Sequence, residues 1–239
     1  MKAIILAGGK GTRLAEYTSK IPKPMVNINK KPIITYIIDH YIKYGVTEIL
    51  IAGGYKYNLL KNYFLLNKKK YPNVRVLNTG LNSLTAKRML KLKKNFKKGE
   101  NFFMTYGDGV ADVDIAKLLK HHEKNKKACT LTAVRPIARF GELKITGNTV
   151  NSFNEKPQLK QGWINGGFFV LEPEFFKLIK DDKTYLERAP LEKATQRKQL
   201  AAFKHKGFWQ CMDTKRDKDR LDKILKDKKN KFWILKRKY

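Results

Sequence analysis

The sequence predicts an α/β fold of Rossmann-like type: a mostly parallel mixed sheet with helices on both faces, plus a small β portion and a C-terminal helical tail. Three observations predict it. Residues 3–7 form an unbroken apolar run that stops at glycines, as a strand buried on both faces does. Short β-branched runs then alternate with stretches of helical periodicity as far as residue 134, which implies right-handed crossovers. No Pro/Gly/Ser linker and no internal repeat divides the 239 residues, a length that one α/β domain commonly fills.

The elements follow in order. After strand 3–7, residues 32–44 set Ile33, Ile34, Ile37, Ile38, Tyr41 and Ile42 at helical spacing, with Asp39, His40 and Lys43 opposite. Strand 48–52, helix 55–66, strand 74–77 and a helical stretch 85–94 come next. Strand 102–106 leads to a helix over 113–124 that Asp112 is positioned to cap, and strand 129–134 follows. Beyond it the rhythm changes. Residues 142–145 and 150–153, joined through "TGN", read as a hairpin. A strand at 167–171 precedes a region of mixed short elements that ends in strand 208–212. Residues 215–239 read as a charged helix and tail, with Trp233, Ile234 and Leu235 docked on the domain or a neighbouring subunit. The parts divide one domain at about 1–135, 136–213 and 214–239.

Composition excludes several classes. At 42 % hydrophobic residues the chain is not disordered. Lys+Arg number 52 against 21 Asp+Glu, a net charge of +31. These lysines come as scattered pairs and triples, such as Lys68, Lys69 and Lys70, Lys93 and Lys94, Lys126 and Lys127, or Lys228 and Lys229. They form no single stripe interleaved with stacking aromatics, so we read the charge as guiding small polyanionic substrates rather than as a specific nucleic-acid site. Cys129 and Cys211 sit in strand-like runs and read as reduced core thiols. The first apolar run breaks at Gly8, too soon for a signal peptide, and nothing approaches the about 20 apolar residues of a membrane span. The expectation is a cytoplasmic protein.

Other tempting residues have plain readings. His121 and His122 diverge by about 100° on a helix and read as a surface pair rather than a metal site. His40 and His205 lack Cys/His partners at ligand spacing. Trp163, Phe168 and Phe169 read as a core strand behind a glycine turn rather than a stacking platform.

The stretch "LAGGKGTRLAEYTSKIPKPM", from Leu6 to Met25, carries the chemistry. Gly8, Gly9 and Gly11 follow the first strand, at the sheet edge where α/β ligands bind. Lacking Cβ atoms, they let backbone amides converge into an anion cradle. Thr12 adds a hydroxyl, and Arg13 a fork that fits phosphate oxygens. The spacing is neither G-x-x-x-x-G-K-[ST] nor G-x-G-x-x-G; taken alone, the loop is also compatible with an ordinary glycine turn. Pro22 and Pro24 restrict where Lys23 can point, an advantage for a lysine that must meet a phosphate. Asp108 and Asp213 each follow a buried strand. Converging at one sheet edge they would suit Mg²⁺, which keeps water and phosphate oxygens as further ligands, although either alone also reads as a turn or cap residue.

At this point the chain resembles a known family. "MKAIILAGGKGTRL", "PKPM", "TYGDGVADVDI", "FGELKITGNTV", "NEKP", "WINGGFFVLEPE", "PLEK" and "GFWQCMDTKRDKD" occur in the order seen in sugar-1-phosphate nucleotidyltransferases, from Met1 to about Leu221. The Y-G-D-G-V, R-F-G, W-I-N-G-G-F-F-V and F-W-Q-x-M-D-T words look like its cytidylyltransferase branch, which makes CDP-glucose and pyrophosphate from CTP and α-D-glucose 1-phosphate. The resemblance implies a nucleotide-diphospho-sugar transferase fold, Mg²⁺ as cofactor and a homo-oligomer. It implies that Leu6, Ala7, Gly8, Gly9, Lys10, Gly11, Thr12 and Arg13 bind the nucleotide, together with Lys23, Ser83, Arg88 and Gly107. Arg13 and Lys23 become the catalytic cations, and Asp108 and Asp213 the metal ligands. Glu155, Lys156, Asn165, Gly166 and Gly167 fall on the sugar-phosphate side. Two features depart from the pattern. Ala86 and Lys87 stand where relatives carry Gly-Gly, and the segment before Thr79 shrinks to "NKKKYPNVRVL".

Overall fold

In a computed structural model of the chain, which describes residues 1–138, 141–155, 162–180 and 184–226, the elements run in this order. The first half contains β1 (Lys2–Ala7), α1 (Ala15–Thr18), β2 (Asn27–Ile28), β3 (Lys31–Pro32), α2 (Ile33–Lys43), β4 (Glu48–Gly53), α3 (Tyr57–Leu66), β5 (Val74–Asn78), α4 (Thr85–Leu92) and β6 (Phe102–Tyr106). The second contains β7 (Gly109–Ala111), α5 (Ile115–Asn125), β8 (Cys129–Val134), β9 (Glu142–Thr146), β10 (Thr149–Asn154), β11 (Ile164–Leu171), α6 (Ala189–Gln196), β12 (Leu200–Lys204), β13 (Trp209–Cys211) and α7 (Lys215–Lys226).

A seven-stranded sheet of order β12-β8-β11-β6-β1-β4-β5 forms the centre. Its neighbours pair in parallel except for β11, which runs against both β6 and β8. The continuous apolar run of β1 serves both faces by strand alternation. Ala3, Ile5 and Ala7 pack with α2, α3, α5 and α7, whereas Ile4 and Leu6 pack with α4 and α6. Each face therefore needs its own helical layer, which the crossovers supply. From β1 the chain winds to β4 and β5 on one side, then crosses to β6 on the other. Such a reversal of strand order opens a crevice at the C-terminal strand ends.

Several expectations need correction. The helix after β6 starts at Ile115, and its cap is Asp114, whose carboxylate accepts from the Lys117 amide at 2.9 Å. Asp112 instead lies 2.9 Å from His205 Nε2. His121 and His122 are not a surface pair: His122 is buried, with Nδ1 2.9 Å from Thr130 Oγ1. Trp163 is not in the core but half-buried between the Arg135 guanidinium, 4.5 Å from its ring, and Lys204. Ile42 is exposed despite its helical spacing. The helical stretch from Thr85 tightens into a 3₁₀ turn after Leu92. The hairpin β9–β10 pairs with no other strand among the described residues, and Trp233, Ile234 and Leu235 fall outside them.

Candidate active site

The crevice is a cleft of about 820 Å³ at the C-terminal ends of β1 and β6. One wall is local. Where β1 ends, residues 8–11 turn over the sheet edge, and among the described residues the amides of Gly9, Lys10 and Gly11 meet no acceptor in the protein. Gly11 has φ +66°, the left-handed region in which a side chain is strained, and an added Cβ would also stand 2.9 Å from Lys23 Cβ. Thr18 fixes the turn by donating its hydroxyl to the carbonyls of Gly11 at 3.0 Å and Leu14 at 3.1 Å. A Cβ on Gly8 would collide with the Arg88 guanidinium, 2.1 Å away.

The opposite wall is assembled from afar. Strands β7 and β13 pair antiparallel, with Cys211 opposite Gly109, and the Met212 amide donates to the Asp108 carbonyl at 2.8 Å. This ladder draws Asp108 and Asp213 together. Lys23 Nζ lies 2.5 Å from Asp108 Oδ2 and 2.6 Å from Asp213 Oδ1, and Arg13 reaches Asp213 Oδ2 at 3.0 Å. Burial by itself pushes the Lys23 pKa down, but Asp108 and Asp213 outweigh it, and the net shift is upward. The ammonium therefore stays charged at neutral pH. Cys211 lines the cleft rather than the core; burial first, then Asp213 and Asp108, push its thiol up to about 12. It remains a thiol, not a nucleophile.

The carboxylate pair fits a hard divalent cation. Two oxygens already converge on one positive centre, the Lys23 ammonium, and further oxygens must come from substrate and water. Among the described residues no cluster of three or more His, Cys, Asp or Glu exists that could hold a metal without such help.

The remaining expected residues divide. Leu6, Ala7, Lys10, Thr12, Ser83, Gly107 and Asn165 line the same cleft. Arg88 also borders it, but its guanidinium is buried and already donates to the carbonyls of Gly8, Gly53, Gly80 and Leu81 and to Thr79 Oγ1. It ties the glycine loop to the segment bearing Ser83, whose hydroxyl bonds the Thr79 carbonyl. Ala86 is fully buried against the sheet. Glu155, Gly166 and Gly167 do not line the cleft, and Lys156 lies outside the described residues. Gly167 supplies φ +75° beneath it, and the Gly166 carbonyl accepts from Trp209 Nε1 at 2.7 Å.

Sequence reasoning missed two supports. Tyr106 donates its hydroxyl to Glu187 at 2.7 Å and accepts from Asn165 Nδ2 at 3.3 Å, while Thr85 donates to the other Glu187 oxygen at 2.9 Å. Burial, then Glu187, push the Tyr106 pKa up. Asp217 Oδ2 accepts from the amides of Asp213 at 3.1 Å and Thr214 at 2.9 Å, and from Thr214 Oγ1. The Asp217 amide in turn approaches Thr214 Oγ1 at 3.3 Å, a reciprocal cap on α7. The T-x-x-D spacing of "TKRD" was the available signal.

Comparison with known proteins finds relatives along most of the chain. Glucose-1-phosphate cytidylyltransferase of Salmonella typhimurium is 44 % identical, over 91 % of this chain and 93 % of its own length. D-glycero-alpha-D-manno-heptose 1-phosphate guanylyltransferase of Campylobacter jejuni is 34 % identical, over 74 % of this chain and 78 % of its own. The crystal structure of HddC from Yersinia pseudotuberculosis complexed with GMP-PN shares the fold, with a TM-score of 0.73 at 24 % identity, covering 94 % of this chain and 99 % of that one. The sheet is accordingly that of the nucleotide-diphospho-sugar transferases. A family model described as nucleotidyl transferase matches residues 2–216, and with the relatives above it shows that the chain belongs to the nucleotidyl transferase family.

Proposed function

We propose that the protein makes CDP-glucose and pyrophosphate from CTP and α-D-glucose 1-phosphate. The likeness to the Salmonella cytidylyltransferase supports the choice of base and sugar. What carries the chemistry is the meeting of Lys23, Asp108 and Asp213 within 2.6 Å contacts at the mouth of the glycine loop.

In this reading an oxygen of the sugar phosphate attacks the α-phosphorus in line and pyrophosphate leaves. The attacking phosphate is already ionised, so positioning and charge neutralisation suffice without a protein nucleophile or strong base. The open amides of Gly9, Lys10 and Gly11, with Arg13, would bind the β- and γ-phosphates. Lys23 would turn from the two carboxylates toward phosphate and reduce the repulsion between two anionic substrates. Nucleotidyl transferases as a family use a divalent metal; here Asp108 and Asp213 would hold Mg²⁺. Held there, the ion would supply charge neutralisation to the transferring phosphate. Asn165, oriented through Tyr106 and Glu187, would face the sugar, with Gly166 and Gly167 shaping the backbone beneath. The resemblance also assigns Glu155 and Lys156 to the sugar-phosphate side, although Glu155 does not line the cleft; Ser83, which does, would fall on the nucleotide side. Arg88 would act on the nucleotide chiefly by holding the two loops that flank it.

The reading extends to a cytoplasmic homo-oligomer. Among the described residues no helix is long and apolar enough to cross a membrane. Leu143, Ile145, Val150 and Phe153 form an exposed apolar face on β9–β10, in cross-strand register, that a second copy would cover. The test is pyrophosphate release with each of the four nucleoside triphosphates crossed with several sugar 1-phosphates. CTP with glucose 1-phosphate should dominate; an equal or faster rate with another pair would refute the assignment.

A further inference from the structure

The far end of α3 carries a pattern that the cleft does not use. Leu65 and Leu66 are 58 % and 88 % exposed, and Leu59 on the same helix is exposed too. Around them Lys61, Lys68, Lys69 and Lys70 all face solvent. This tip is held in place. The carbonyl of Tyr63 accepts from both Asn67 Nδ2 at 2.8 Å and the Asn67 amide at 3.1 Å, and the Asn67 carbonyl accepts the amides of Lys70 and Tyr71 at 3.0 Å. Phe64 and Tyr71 on either side are buried, with ring centroids 5.6 Å apart in an edge-on arrangement. The leucines between them are thus presented on a fixed turn, with much of the ordering cost of an interaction already met.

Position and charge define the partner. The knuckle runs into the start of β5, which is parallel to β4 and, through it, to β1, so it lies at the sheet edge opposite the glycine loop. Glu48, on the adjoining strand, is neutralised by Arg75 at 2.8 Å. A second copy meeting this face would set Lys61, Lys68, Lys69 and Lys70 against their own counterparts. A free polyanion would engage the lysines but leave the leucines in water. An anionic lipid surface takes both, since the leucines enter the headgroup–acyl boundary while the lysines meet the negative surface potential. We propose that the knuckle from Leu65 to Lys70 is a peripheral docking site for an anionic phospholipid surface, with the catalytic cleft facing away from it.

Sedimentation of the full chain with phosphatidylcholine vesicles, with and without phosphatidylglycerol, tests this. The protein should partition onto the mixed vesicles only. Leu65→Ser with Leu66→Ser, which leaves the charge unchanged, should lower the partition coefficient about tenfold. Lys68→Gln, Lys69→Gln and Lys70→Gln together should lower it about tenfold or more and flatten its salt dependence. Both variants should keep the wild-type melting temperature and pyrophosphate release. If the double leucine variant binds vesicles as the wild type does, net charge alone governs adsorption and the proposal is overturned. Duplex DNA displacing vesicles equally from wild type and leucine variant would assign the lysines to nucleic acid instead. A dimer that the leucine substitutions dissociate would assign the face to a second copy and likewise defeat the lipid reading.

Discussion

The two walls of the cleft are built by opposite means. The glycine wall is local: residues 8–18 make their own turn, with a left-handed Gly11 and a back-bonding Thr18. The carboxylate wall has no local existence. Asp108 and Asp213 meet only because β7 and β13 form a three-residue ladder and Asp217 holds the Asp213 turn. Lys23 is the hinge between the two, sitting next to Gly11 and bonding both carboxylates. A local wall should therefore fail by strain, and a long-range one by loss of alignment.

The largest expected effect comes from cutting the hinge. Lys23→Ala should lower kcat by about 10²–10³-fold, or about 3–4 kcal/mol of transition-state stabilisation, with folding intact; a variant with near-full turnover would refute the role. Freed of their ammonium, Asp108 and Asp213 should bind Mn²⁺ more tightly in the nucleotide-free protein, measurable by titration. Next is the long-range wall itself. Asp213→Asn should raise the half-saturating Mg²⁺ concentration at least about tenfold, and an unchanged metal titration counts against the ligand assignment.

The local wall is broken by Gly11→Ala. Left-handed backbone and the Lys23 contact should cost about 1–2 kcal/mol in thermal unfolding, with weaker CTP binding. Asp217→Ala sharpens the comparison from the other side. Losing the cap should cost about 1 kcal/mol and shift the metal titration while leaving the KM for CTP nearly unchanged. Asp217→Asn, which keeps an acceptor for the same amides, should restore the titration; equal damage in both variants would argue for the carboxylate charge instead.

The smallest effect lies away from both walls. Burial pulls the His122 pKa from 6.5 down to about 4, with His121 adding to the shift. The folded state thus keeps His122 neutral while the unfolded chain takes up a proton below pH 6.5. Its contribution to stability is present above that pH and is lost as pH falls toward about 4. At pH 6 the loss is about 0.8 kcal/mol. Melting curves between pH 7 and 5 should show it, and His122→Gln should flatten the decline.

Much of this was legible in the chain. The apolar run of residues 3–7, the helical spacing in α2 and the glycine-rich turn are short-range patterns, and short-range patterns survive in one dimension. The errors arose where neighbours in space decide. His122 looks like any polar helical residue until Thr130 closes over it. Asp112 and Asp114 are equally good caps on paper, and Asp112 goes to His205 because β12 ends beside it. Trp163 reads as core, yet Arg135 and Lys204 flank its ring.

By itself the sequence determined most of the sheet's strands, the glycine turn after the first of them and the identity of the charged residues, because backbone preference and burial period are properties of adjacent residues. Only the tertiary structure decided that one lysine sits between two aspartates, and that Arg88 is spent on loop carbonyls. Those outcomes depend on strand order and register, which fix distances between residues that the chain keeps far apart.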